Sequence, residues 1–289
     1  MRLVFLGTPA AAVPSLRAVV EAGHEVVLVI TRPDRRRGRG STLSPSPVKE
    51  AALELGLPVA HSVKALDEVS AELGIVVAYG AMIKPEVLER LPMLNVHFSL
   101  LPRWRGAAPV ERAILADDEE TGVGIMSLEV TLDTGPLHGE RRVAIGEKTA
   151  SALTRELADV GAALLVAVLA DPPALASPTP QAGEPTYAQK LDAETFHLLP
   201  SMTAAEASRV VRLERAWCLL GEKRFRVYEA TVGPETAPAG TVVREGNRVG
   251  LACREGVLWL SSVQPEGSKA MAASAWLAGA RLSDDVRWS

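Results

Sequence analysis

Short apolar runs rich in β-branched residues alternate with amphipathic stretches through the first half of this chain, and few folds can absorb that pattern. Residues 3–6, 24–31 (HEVVLVIT), 74–79 (GIVVAY) and 94–98 read as buried strands. Residues 10–22, a stretch starting near Pro47, and residues 85–90 read as helices between them. Strands that are apolar on both faces and separated by helices call for a parallel sheet covered on both sides. Residues 121–130 and 137–145 read as paired strands flanking the turn-forming Asp133-Thr134-Gly135-Pro136, and residues 150–169 as a long Ala/Leu helix.

The pattern then breaks. Residues 171–185 are rich in Pro, Ala and Ser and are expected to form a linker with no regular element. Beyond it, a helical stretch at 203–213 precedes short strand-like runs at 224–230, 240–244, 248–253 and 257–263, the spacing of a small β-barrel or sandwich. A length of 289 residues, 47% hydrophobic and 23% charged, suits two ordinary globular domains or one large one. With only 4% aromatic residues, the core must be mostly Ala, Val and Leu.

A net charge of -4 argues against indiscriminate coating of nucleic acid, which depends on neutralising phosphates, but leaves room for a local basic patch. Cys218 and Cys253 lie in unrelated segments and show neither a disulfide framework nor zinc spacing. His24, His61, His138 and His197 are scattered, so no metal site is expected. The apolar start, Leu3 to Leu6, is too short for a signal peptide, and no run reaches bilayer length. The cytoplasm is the expected location, with no membrane attachment.

The strongest chemical signal is Asn95-Val96-His97. Residues two apart in a strand share a face, so Asn95 and His97 project together near the C-terminal end of a parallel strand, where open α/β sheets bind ligands. An amide donor beside an imidazole can stabilise a tetrahedral oxyanion. On the tripeptide alone, a core histidine held by a neighbouring amide is the favoured reading. Asp133 is either an ordinary turn former or a carboxylate that pairs with the imidazolium and fixes its orientation.

A second signal follows the strand at 24–31. Arg32, Arg35, Arg36, Arg37 and Arg39 crowd one loop with a single carboxylate, Asp34, and glycines at 38 and 40. A charge run is usually a solvated loop. Five guanidiniums nonetheless repel one another unless an anion is present, and planar multi-donor arginines suit phosphates and bases. No GxGxxG follows the first strand, so dinucleotide binding gains little support.

Taken together and in order, Asn95, His97 and Asp133 resemble the catalytic set of the folate-dependent formyltransferases. SLLPRWRGAAP (99–109), GTP (7–9), the segment 31–49 with its GRG and PSPVK pieces, VVAYG (76–80) and QPEGSKAM (264–271) are similar to the members that act on methionyl-tRNA. The resemblance covers nearly the whole chain. It implies a Rossmann-like catalytic domain at 1–185, a linker at 186–202, and an OB-like tRNA-binding domain at 203–289. It implies 10-formyltetrahydrofolate as formyl donor, no metal, and a charged initiator methionyl-tRNA as acceptor, with a monomer expected.

By the same resemblance Asn95, His97 and Asp133 are catalytic. Ser99, Leu100, Leu101 and Pro102, with Val77, Ala78, Tyr79 and Gly80, line the folate pocket. Arg39 matches the GRG arginine that meets the tRNA acceptor end; Arg35, Arg36, Arg37, Arg103, Arg105 and Lys269 join it as tRNA-binding candidates. The rivals are a formyltransferase for a nucleotide or amino-sugar amine, a non-catalytic binding module, and a hydrolase releasing formate. Phe98 and Thr131 stand where the family usually has glycine, and an Asn-Pro-Trp-Pro segment is missing near Glu214 to Leu220.

Overall fold

Strand β1 (Arg2–Gly7) is an interior strand of a seven-stranded sheet, and its side chains from Leu3 to Leu6 are fully buried. The other strands are β2 (Glu25–Ile30), β3 (Val59–Ala60), β4 (Leu73–Val77), β5 (Met93–His97), β6 (Glu120–Ser127) and β7 (Leu137–Ala144), in the spatial order β7-β6-β5-β4-β1-β2-β3. β5, β4, β1, β2 and β3 run parallel, while β6 is antiparallel to both β5 and β7. All five residues of β4 are buried, as expected of a strand covered on both faces.

The computed structural model describes residues 1–36, 43–283 and 285–289. They divide into two units. The sheet belongs to the first, Met1–Val110, Glu120–Ala144 and Leu153–Gln189; the second comprises Glu111–Glu119, Ile145–Ala152 and Lys190–Ser289.

Helices α1 (Val13–Glu21), α2 (Pro47–Glu54) and α3 (Pro85–Leu88) fall in the connections expected to hold them. Each carries Pro at its first or second position, where the missing N–H costs nothing. Ser46 caps α2 by accepting the Lys49 N–H at 3.0 Å. α4 (Pro109–Leu115) follows β5, and α5 (Ala150–Leu169) follows β7. Val96 and Phe98 both meet α5 at Gly161, so Phe98 lies on the face of β5 opposite to Asn95 and His97.

One expectation fails. The stretch 171–185 is not without regular structure: α6 (Pro172–Ala176) forms there because Asp171 caps the Ala174 N–H and two prolines open the helix. Past it, a two-residue strand Tyr187–Ala188 pairs in parallel with Arg105–Gly106.

In the second unit, α7 (Ala204–Val211) starts with a capping box. Thr203 Oγ1 accepts the Glu206 N–H while the Glu206 carboxylate accepts the Thr203 N–H. Strands β8 (Trp217–Leu220), β9 (Lys223–Gly233), β10 (Val242–Glu245), β11 (Arg248–Ala252) and β12 (Val257–Pro265) form a curled antiparallel sheet ordered β8-β9-β12-β11-β10, with β13 (Met271–Ala272) beside β12. This is the half-barrel expected of an OB-like domain. Its core gathers Val227, Val249, Leu251, Leu258 and Trp288 with Ala207, Val210 and Val211 of α7. α8 (Ala273–Gly279) packs on β11 and β12.

Candidate active site

From β1 the chain winds outward to β2 and β3, then returns to build β4 and β5 on the other side. This puts the topological switch point between the C-terminal ends of β1 and β4, the usual ligand crevice of an open α/β sheet. Thr8, just past β1, donates its hydroxyl to the Tyr79 carbonyl past β4 at 2.9 Å. A cavity of about 380 Å³ opens there, lined by Thr8, Arg32, Arg35, Arg36, Tyr79 and Gly80 among others. Ala78 also lines it, whereas Val77 is buried at the end of its strand. Burial pushes the Tyr79 hydroxyl pKa up, against a smaller opposing pull from Arg32.

One strand over, Asn95 pairs in register with Val76, so it sits beside the strand that feeds the Ala78–Gly80 turn. Asn95 is half-buried, and no hydrogen bond to its carboxamide occurs among the described residues. His97, two residues on, is only 6% exposed. Its Nε2–H donates to the Trp104 carbonyl at 3.1 Å; that oxygen can only accept, which sets the tautomer of the neutral ring. Nδ1 then faces Asp133 Oδ2 at 3.7 Å, too long for a hydrogen bond but within ion-pair range once the ring is protonated.

Asp133, 7% exposed, reaches this position from a left-handed backbone with φ 52°. Few non-glycine residues adopt that region, and Asp is among those that do. Its Oδ2 accepts the Gly106 N–H at 2.8 Å, so one carboxylate oxygen joins the histidine to the loop after β5. Gly135, two residues later, is dictated by space: a Cβ there would lie 1.8 Å from the Ser127 carbonyl oxygen. The Asp-Thr-Gly-Pro sequence is therefore both turn chemistry and close packing.

The other expected residues are distributed as follows. Ser99 is buried and gives its hydroxyl to the Arg103 carbonyl at 2.6 Å; Leu101 is buried, and Leu100 and Pro102 are half-buried. The Leu101–Pro102 bond is cis. Arg103 stacks its guanidinium over the Trp104 ring at 4.5 Å. Arg105 donates from Nε and Nη2 to Gln181 Oε1, at 3.1 and 2.6 Å.

Arg35 and Arg36 form a two-residue strand with Leu43–Ser44 and are exposed. Arg37 and Arg39 lie outside the described residues. Lys269 is exposed on the connection from β12 to β13, within the second unit. The fold thus brings Asn95, His97 and Asp133 to one sheet edge, and Arg35 and Arg36 to the neighbouring cavity.

Several neighbours of this cluster carry no signal in isolation. Trp104, Gly106, Gln181 and Thr186 act through backbone groups or over long separations. Only Trp104 and Gly106 fall within a stretch, 99–109, that the sequence pattern singles out.

Such a site combines an amide able to donate to an oxyanion, a proton-accepting imidazole and a buried carboxylate at the edge of a Rossmann-like sheet. Residues 1–169 match the Formyl transferase family, and residues 193–281 match its counterpart described as Formyl transferase, C-terminal domain. The chain belongs to the formyl transferase family.

Among its relatives, the methionyl-tRNA formyltransferase of Thiobacillus denitrificans is 42% identical, over 99% of each chain. That of Paracoccus denitrificans is also 42% identical, over 98% of this chain and 99% of the relative. A solved variant of HypX from Aquifex aeolicus shares the fold with a TM-score of 0.68 at 17% identity. The match covers 96% of this chain but 48% of that protein, so this chain spans about half its length.

Proposed function

We infer that this protein transfers the formyl group of 10-formyltetrahydrofolate to the free amino group of initiator methionyl-tRNA, producing N-formylmethionyl-tRNA. The observation that carries this reading is 42% identity along the whole chain, both units included, to enzymes bearing that name.

The donor supplies an activated one-carbon amide; the acceptor amine forms a bond to its carbon, and the bond to the folate nitrogen breaks. Asn95 offers an amide proton to the oxygen that becomes negative in between. His97 takes the proton the amine must lose and delivers one toward the departing nitrogen. Asp133, at 3.7 Å, holds the positive ring in place. Ser99 to Pro102 and Val77 to Gly80 are assigned to the folate, the former as an apolar and backbone surface because the Ser99 hydroxyl is already committed.

The tRNA is assigned to Arg35, Arg36, Arg37, Arg39, Arg103, Arg105 and Lys269, with residues 203–289 as a dedicated tRNA-binding domain. The same reading makes the protein a cytoplasmic monomer. Among the described residues, no helix is long and apolar enough to cross a membrane.

The test is formyl transfer from 10-formyltetrahydrofolate to charged initiator and charged elongator methionyl-tRNA, side by side. Rapid transfer to the initiator alone is expected. Transfer to a nucleotide or amino-sugar amine, with neither tRNA formylated, would replace this reading with the small-amine one.

A further inference from the structure

Gln181 makes four interactions that meet at the site, and it comes from a stretch whose composition promises none. Its Nε2 donates to the backbone carbonyls of Asp133 at 2.9 Å and Gly135 at 2.8 Å. Its Oε1 accepts both Nε and Nη2 of Arg105. Every donor and acceptor of the carboxamide is thereby used.

The two carbonyls belong to the turn that carries Asp133 in its left-handed backbone, and a turn of that kind persists only where its surroundings hold it. The Arg105 end belongs to the loop whose Trp104 carbonyl accepts from His97 and whose Gly106 N–H donates to Asp133. Thr186, five residues after Gln181, fixes that loop from its other side. It takes the Trp104 N–H on its hydroxyl at 2.9 Å and the Arg105 N–H on its carbonyl at 2.9 Å.

We propose that Gln181 is a positioning residue for formyl transfer: its carboxamide locks the Asp133 turn against the Trp104–Gly106 loop and so sets the Asp133–His97 geometry. This role rests on the catalytic reading of Asp133 and His97. Gln181 does not meet the reacting atoms; it acts through Asp133.

The experiment compares steady-state formylation of initiator methionyl-tRNA by the parent, Gln181→Glu, Asp133→Asn and the double variant. Glu is isosteric and keeps an acceptor for Arg105 but removes both donors to the turn. Gln181→Met, similar in length and uncharged, serves if the charged variant does not fold. Turnover is expected to fall about 10- to 100-fold, as a small misplacement of a reacting group does, with KM for 10-formyltetrahydrofolate within about twofold. The double variant is expected to be no slower than Asp133→Asn alone, because residues acting as a unit are not additive. Parental turnover in Gln181→Glu, or losses that multiply in the double variant, would overturn the proposal. Parental turnover in Asp133→Asn would instead remove the reading on which it rests.

Discussion

Around Asp133 the charged and strained groups are bonded from within: the carboxylate to Gly106, the turn carbonyls to Gln181, the imidazole to Trp104. Arg35 and Arg36 are the opposite case. Both are exposed, and no ion pair or hydrogen bond to either guanidinium occurs among the described residues, while the neighbouring Asp34 is held by Lys49 at 2.8 Å. A group that must move a proton works best when its surroundings are fixed before the substrate arrives. A group that must hold a polyanion works best when its charge is still available. The internal bonding of the two regions differs in the way the two proposed tasks would require.

The largest expected effect breaks the first region at its centre. His97→Ala should lower turnover by about 10²–10⁴-fold, the usual loss for an acid–base group, measured by single-turnover formylation at saturating folate. A loss under tenfold in a folded variant would move the proton transfer elsewhere. Next comes Gly135→Ala, which touches no reacting group. Its Cβ would meet the Ser127 carbonyl oxygen at 1.8 Å, and backbone cannot step aside as a flexible side chain does. Overpacking of this kind costs roughly 1–3 kcal/mol. A fall in thermal midpoint together with lower turnover is expected; lower stability with parental turnover would show that Asp133 tolerates a displaced turn.

Much of the first region is legible without coordinates. The period of two puts Asn95 and His97 on one face, and the strand-helix alternation puts that face at the ligand edge of the sheet. Asp133 is legible as a turn residue, whereas its approach to His97, 36 positions away in sequence, depends on how β6 and β7 pair. Gln181 and Thr186 are hidden for a different reason. A stretch rich in Pro, Ala and Ser has no periodicity, and hydrogen bonds to groups 46 to 82 residues away leave no local pattern. The start of helix α6 does have a local signal, since Asp171-Pro172-Pro173 is a cap followed by helix-opening prolines. In the second unit β8 and α8 escape notice because each is short and defined mainly by its packing.

The smallest expected effect tests the second region, and it sharpens the comparison because it should leave the first untouched. Replacing Arg35 and Arg36 together with Ala should raise KM for initiator methionyl-tRNA about three- to tenfold at moderate salt. KM for 10-formyltetrahydrofolate and turnover at saturating tRNA should stay near parental values. The salt dependence separates phosphate neutralisation from a merely local disturbance. For every phosphate no longer neutralised, the slope of log affinity against log salt should become shallower by about 0.7 for single-stranded RNA. A raised KM with an unchanged slope would mean that the two arginines shape the cavity at the switch point without neutralising phosphate. An unchanged KM would leave the exposed guanidiniums as a solvated surface, and the contrast with the Asp133 region would then be one of burial alone.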